Sequence, residues 1–243
     1  MSETARRALV TGGSGGIGAA ICRRLAKEGH HVYVHARQGV DAAEKLVEEI
    51  TAAGGSAVAL HFDVTDAEGT RKTLATALSS GPIQILVNNA GVHDDAVLPG
   101  MRPEQWHRVI DVAVSGFFNV TQTVLMPMIR TRWGRIVNMS SISALIGNKG
   151  QVNYAAAKGA LNSATKALAL EVATRGITVN ALAPGIIRTP MTEGLFDADA
   201  IARLVPMNRA GLPEEVANVV AFLASTEASY LTAQIISVNG GMA

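Results

Sequence analysis

Short runs rich in Val, Ile and Ala alternate with longer stretches of helical periodicity along the whole chain, and this alternation limits the fold more than any other feature. The apolar runs are Ala8–Thr11, His31–Ala36, Ala57–Asp63, Ile85–Asn89, Arg135–Met139, Thr178–Ala181 and Ile235–Val238. They are nearly continuous in apolar character, as strands covered on both faces must be. Helices are expected at Gly16–Glu28, Asp41–Ala53, Ala67–Ser79, Pro103–Thr131, Gln151–Thr174 and Pro213–Ala224. Pro103 and Pro213 fall where a helix starts and a missing N–H costs nothing. Strand–helix–strand repetition implies parallel strands with helices on both faces of one sheet. The expected fold is therefore α/β: a single doubly wound domain over residues 1–243 with a seven-stranded parallel sheet. No Pro/Gly/Ser-rich linker and no internal repeat divides it.

Apolar residues make up 48% of the chain and charged residues 17%, enough to build a large core. Aromatics are only 4%, so Ala, Val, Ile and Gly must carry most of the packing. A net charge of +1 gives no global field for nucleic acid or a membrane surface. Cys22 is the only cysteine, which excludes an internal disulfide and fits a reducing compartment. It is expected as a small buried side chain on a helix. Met1–Ala8 is short and polar without a signal-peptide core, and no apolar run reaches membrane-spanning length, so a cytoplasmic protein is expected. The six histidines are scattered without metal-ligand spacing, so they are expected in loops, at strand ends and on the surface, and no metal site is expected.

Between the first strand and the first helix lies Gly12-Gly13-Ser14-Gly15-Gly16-Ile17-Gly18. Glycines let the backbone turn tightly and approach a ligand closely. The helix start that follows offers free N–H groups and a positive dipole end to a pyrophosphate. A glycine loop at the first crossover is the context for dinucleotide binding by a Rossmann domain.

The spacing Thr11-Gly12-x-x-x-Gly16-x-Gly18 resembles the short-chain dehydrogenase/reductase family, and the resemblance recurs in order along nearly the whole chain. Asn88-Asn89-Ala90-Gly91 is similar to the family's motif after the fourth strand. Ser141, Tyr154 and Lys158 resemble its catalytic set, and Pro184-Gly185 with Thr189 its nicotinamide-side motif. The resemblance implies a nicotinamide dinucleotide held by Gly12, Ser14, Gly16, Ile17, Gly18, Arg37, Asp63, Val64, Asn89, Ala90, Gly91, Tyr154, Lys158, Pro184, Gly185, Ile187 and Thr189. After the second strand the chain reads Val34-His35-Ala36-Arg37-Gln38, without the carboxylate that would bind a ribose 2′-OH. Arg37 can hold a 2′-phosphate through its planar fork, so NADP(H) is the expected cofactor. Arg37 would act without the second cation that many NADP-using relatives carry where this chain has Gly15.

Tyr154 and Lys158 are four residues apart on one helix, hence on one face and one turn apart. Carbonyl reduction needs a proton donor at oxygen while hydride arrives at carbon. A neighbouring ammonium is expected to lower the phenol's pKa from near 10. Tyr154 is thus the candidate general acid, Lys158 its tuning partner, and Ser141 the hydroxyl that orients the carbonyl. The family's usual Asn, which helps hold a proton-relay water, is replaced by Ala113. An active or attenuated reductase with the water held by backbone groups, a non-catalytic NADPH-binding partner subunit, and a deliberate substitution are all compatible with that alanine.

Within the family the chain is most similar to the β-ketoacyl carrier-protein reductases of bacterial fatty acid synthesis, notably in Gly147–Lys158, Arg175–Asn180 and Val238–Met242. This implies NADPH-dependent reduction of a 3-oxoacyl thioester on acyl carrier protein, in fatty acid or polyene/polyketide-type synthesis. Reduction of another carbonyl, such as a coenzyme A thioester, sugar or small ketone, is the alternative. Arg130, Arg132 and Arg135 cluster near the end of the long helix, and Arg132 and Arg175 fall where relatives dock the acidic carrier. Residues 188–211 break the alternation and carry Met191, Leu195, Phe196, Leu204 and Met207, as a substrate lid would. Val112, Val114, Phe117, Phe118, Val120, Val124 and Leu125 cannot all face one sheet, so subunit contacts are expected; relatives are typically homotetramers.

Overall fold

The computed structural model describes residues 5–190, 192, 194 and 197–243. Residues 1–4, and Met191, Leu195 and Phe196 of the expected lid, lie outside the described residues. Seven strands form one parallel sheet: β1 (Arg7–Val10), β2 (His31–Ala36), β3 (Ser56–His61), β4 (Ile85–Asn88), β5 (Gly134–Met139), β6 (Ile177–Pro184) and β7 (Ile235–Val238). Their spatial order is β3-β2-β1-β4-β5-β6-β7. The chain winds outward from β1 to β3, then crosses back to β4 on the other side of β1. The β1/β4 boundary is thus the topological switch point, outside whose strand ends ligands bind in such sheets.

Helices α1 (Gly16–Lys27), α2 (Val40–Ala52) and α9 (Pro213–Ala224) cover one face. Helices α3 (Ala67–Ser79), α5 (Gly116–Thr131) and α7 (Val152–Val172) cover the other. β1 shows why the strands read as apolar throughout. Ala8 and Val10 enter the first core and Leu9 the second, all fully buried. A buried polar chain ties the second layer to the sheet. Asn88 Nδ2 donates to Thr121 Oγ1 at 3.0 Å and to Asn138 Oδ1 at 2.8 Å, and Asn138 Nδ2 donates to Thr165 Oγ1 at 2.8 Å. Each buried amide thereby finds partners, as it must.

Two expectations are corrected. The helix expected over Pro103–Thr131 is interrupted: α4 (Pro103–Ile110) passes through a π-helical turn, Asp111–Ser115, into α5. As a whole this 29-residue helix is long and apolar enough to cross a membrane by length and composition. Gly, Ser, Asn and Thr intersperse its apolar residues, so it holds no unbroken apolar run; Val120, Val124 and Met128 pack into the core. His30, in the loop before β2, and His35, near the end of that strand, are buried at 3% and 2% exposure. β6 runs on to Pro184, because all eight of its residues are buried and Ala181–Pro184 pair with β7.

Two short helices are added: α6 (Ser143–Ile146), which was not expected, and α8 (Ala198–Leu204). The second lies in the excursion 188–211 and starts at Asp197, whose carboxylate accepts from the Ala200 amide at 2.7 Å. The excursion is pinned at its base, where Arg188 N–H donates to the Gly211 carbonyl and Gly211 N–H to that of Ile186, both at 2.9 Å.

Candidate active site

Two loops meet at the β1/β4 boundary. The Thr11 hydroxyl accepts the Asn89 and Ala90 amides, each at 2.9 Å. Asn89 Nδ2 in turn donates to the carbonyls of Thr11 and Gly12 at 2.9 and 3.0 Å. Asn89 therefore bolts the glycine loop to the β4 loop. Gly12 adopts φ +61°, which favours glycine. A Cβ on Gly18 would lie 2.8 Å from the Asn89 amide and closer still to the Gly12 carbonyl oxygen. No side chain fits there, so α1 starts directly beneath the loop.

Above these glycines opens a cleft of about 450 Å³. Its walls include Gly12, Ser14, Gly16, Ile17 and Gly18 from the first loop and Asn89, Ala90 and Gly91 from the second. Pro184, Gly185, Ile187 and Thr189 follow β6, and Ser141, Tyr154 and Lys158 complete the wall. The sequence reading named all of these. Arg37, Asp63 and Val64 lie apart, beyond the ends of β2 and β3. There Arg37 Nη1 pairs with Asp63 Oδ2 at 3.1 Å, so the two expected adenosine-side groups engage each other. Partial burial pushes the Asp63 carboxyl up, but the Thr65 amide and hydroxyl and then Arg37 hold it below the usual aspartate value. Val64 is buried, its carbonyl fixed by Asn119 Nδ2 at 2.9 Å. A Cβ on Gly15 would meet only open space.

Tyr154 and Lys158 face the cleft from the first two turns of α7. Asn153, fully buried, sets that start: its Nδ2 donates to the carbonyls of Asp94 and Gln105 at 2.9 and 3.1 Å, and its Oδ1 accepts the Tyr154 amide at 2.8 Å. The Gln151 amide adds a bond to Asp95 Oδ2 at 2.9 Å and accepts from Ser143 Oγ at 2.9 Å. The sequence reading missed Asn153 and Gln151. The carbonyls and the carboxylate they hold lie dozens of residues away, and only their place beside Tyr154 marked them.

The electrostatics correct one expectation. Lys158 is 3% exposed and donates through Nζ to the Met139 carbonyl at 2.7 Å. Its Nζ lies 5.7 Å from the Tyr154 ring centroid. Burial brings its pKa down to about 8. The Tyr154 phenol is pushed up, not down: burial raises it, a hydrogen bond with Ser141 opposes this, and the Asp95 charge adds to the rise. The ammonium is aimed at a backbone carbonyl, so it does not acidify the phenol in this arrangement. Ala113 sits in the π turn, 4% exposed, among Val109, Ala157, Val92 and the Tyr154 ring.

Arg132 and Arg175 are exposed at the opposite ends of β5 and β6 from the cleft. Arg132 Nη2 donates to the Thr174 carbonyl at 2.9 Å. Arg135 does not join them. It is buried, donates to the Ser225 and Gly134 carbonyls, and lies 4.4 Å from the Trp133 ring centroid.

A doubly wound sheet, a glycine loop at its switch point and a Ser–Tyr–Lys set in the same cleft together define a nicotinamide-dependent oxidoreductase. The sequence profile for short chain dehydrogenase matches residues 6–200. The chain belongs to the short-chain dehydrogenase family. It is 44% identical over 244 residues to a 3-oxoacyl-[acyl-carrier-protein] reductase of Aggregatibacter actinomycetemcomitans, covering 100% of both chains. It is also 44% identical to the protein of that name from Synechocystis, over 98% of this chain and 97% of the relative. A Staphylococcus epidermidis counterpart matches at 44% over 98% of each.

Proposed function

We propose that this protein uses NADPH to reduce a 3-oxoacyl thioester, carried on acyl carrier protein, to the 3-hydroxyacyl thioester. The observation that carries the reading is the convergence of Ser141, Tyr154 and Lys158 on the cleft that the glycine loop floors. The full-length relatives named for this reaction support the substrate. The loop fits a dinucleotide: Gly12, Gly16 and Gly18 bring bare backbone to the cleft wall, and α1 begins there at Gly16. When bound, NADPH supplies the hydride.

The chain's own groups handle the oxygen of the ketone. Tyr154 gives it a proton, and the Ser141 hydroxyl donates a hydrogen bond to it as negative charge develops. A phenol pushed up by burial is fully protonated at neutral pH, which suits the reductive direction. Lys158, held by the Met139 carbonyl at the cleft wall, keeps a positive charge there and can donate a hydrogen bond to the nicotinamide ribose. The ketone lies between this set and the excursion 188–211, which we assign as a lid. Arg37 faces the 2′-phosphate side and favours NADPH over NADH. Backbone groups of the π turn around Ala113 take the place of the missing Asn in this reading.

Arg132 and Arg175 lie at the far end of the strands, so a carrier docked on them would serve the cleft of another subunit. Phe118, Met126 and Leu170, exposed at 56%, 53% and 81%, provide apolar surface for the homotetramer this requires. The buried Cys22 fits the cytoplasm. The test is NADPH oxidation with acetoacetyl carrier protein and acetoacetyl-coenzyme A, each at low and high salt. The expected result is faster turnover of the carrier substrate, with a Michaelis constant that rises with salt only for that substrate. Turnover of simple ketones but of neither thioester would overturn the assignment.

A further inference from the structure

We propose that His35 is a positioning residue for the dinucleotide, its neutral imidazole tying the glycine loop to the strand end that carries Asp63. The inference rests on the dinucleotide reading above and names the group that shapes that site. His35 lies near the end of β2, 2% exposed, with both ring nitrogens engaged. Nδ1 accepts the Gly12 amide at 3.0 Å, and Nε2 lies 2.9 Å from the Phe62 carbonyl. A carbonyl only accepts, so Nε2 carries the proton and Nδ1 the lone pair. The ring also lies against the Phe62 ring, 4.1 Å between centroids.

The backbone of the same residue holds the next loop amide: Gly13 N–H donates to the His35 carbonyl at 2.8 Å. Two successive amides of the loop are thus fixed on one residue. Gly12 and Gly16 adopt φ +61° and +44°, and a glycine loop loses much conformational freedom when ordered. An anchor at its first turn offsets that cost before the ligand arrives. The other end of the anchor is Phe62, followed directly by Asp63, the partner of Arg37. One imidazole therefore links the loop that faces the phosphates to the segment that faces the adenosine.

Only a neutral histidine offers one donor and one acceptor in these places. Burial holds the ring's pKa down at about 4; His61 opposes its protonation, while the Phe62 carbonyl and Asp63 favour it. A hydrocarbon side chain would leave the Gly12 N–H and the Phe62 carbonyl without these partners.

The test compares His35→Asn, which keeps an acceptor near the Nδ1 position, His35→Gln, which keeps a donor near Nε2, and His35→Leu, which keeps neither. The dissociation constant for NADPH, read by fluorescence titration, is expected to rise about tenfold in His35→Leu, which corresponds to about 1.4 kcal/mol. The rise should be smaller in His35→Gln and smallest in His35→Asn, with kcat at saturating NADPH and acetoacetyl carrier protein within about twofold of the parent. In the protein without ligand, amide exchange of the peptide over residues 10–17 should quicken in His35→Leu and be restored in His35→Asn. Unchanged NADPH affinity with unchanged exchange, or kcat falling with no change in affinity, would overturn the proposal. Should the parent bind no dinucleotide at all, the function above fails, and the exchange result alone decides whether His35 anchors the loop.

Discussion

At the nicotinamide end of the cleft the polar groups are buried: Lys158 is 3% exposed and Ser141 9%. Beyond the ends of β2 and β3, where the proposed adenosine-side groups lie, they are solvated, with the Arg37 and Asp63 side chains 46% and 32% exposed and paired with each other. On the proposed reading, the contrast separates chemistry from cofactor selectivity. Where water is excluded, a proton or charge has few alternative partners, and a pKa moves by units, as that of Lys158 does. Where water has access, an ion pair contributes roughly 0–1 kcal/mol and a lost partner is replaced by solvent. Substitutions at the two ends should therefore differ in size by orders of magnitude.

The strongest way to break this comparison is Tyr154→Phe. Removing a positioned general acid costs about 10²–10⁴ in rate, so turnover should fall by about 10³ while NADPH affinity stays within about twofold. Retention of a tenth of the activity would remove Tyr154 from the reaction. The pH profile sharpens the result. The Lys158 pKa is lowered to about 8, so its ammonium is lost as pH rises through that value rather than near 10.5. Reduction by the parent enzyme is expected to decline above pH 8 while Tyr154 itself remains protonated. A rate flat to pH 10 would show that the ammonium is not needed.

Arg37→Ala tests the solvated end. The ratio of kcat/KM for NADPH to that for NADH should fall by about fivefold, the scale of one partly exposed charged contact to phosphate, with kcat little changed. Because Arg37 already pairs with Asp63, a 2′-phosphate must draw the guanidinium from a carboxylate, which limits the gain. Gly15→Arg should move the ratio the other way, since a side chain there meets open space. An unchanged ratio in both variants would place cofactor selection elsewhere.

What was legible in the sequence follows the same division between local and distant partners. Tyr154 and Lys158 were readable because their relation is a fixed spacing on one helix, and the glycine loop because its residues are consecutive. The alternation of apolar strands and amphipathic helices fixed the sheet for the same reason. His35, Asn119 and Asn153 were not readable. Their partners are Gly12 and Phe62, Val64, and Asp94 with Gln105, segments that only the folded sheet brings together. His35 did leave a trace, as a polar residue inside the apolar run His31–Ala36. The direction of the Lys158 ammonium was equally hidden. Helical spacing puts it on the face of Tyr154, but side-chain torsions carry it to the Met139 carbonyl. The π turn is silent in sequence because five residues of widened helix keep nearly the same apolar pattern.

The smallest effect is expected at Ala113, and it tests whether the buried end depends on every polar group or only on those in contact with the ketone. An asparagine there would place an amide among Val109, Ala157, Val92 and the Tyr154 ring, a pocket lined by hydrocarbon. Burying an amide without partners costs about 1–3 kcal/mol, and the added volume strains a site where alanine is already 4% exposed. Ala113→Asn should therefore lower the midpoint of thermal unfolding while changing kcat by less than about threefold, since the groups that would touch the ketone stay in place. A rise in kcat of tenfold or more would show that a side-chain amide is needed near Tyr154 after all. The π turn would then be an incomplete substitute, and the present chain an attenuated enzyme.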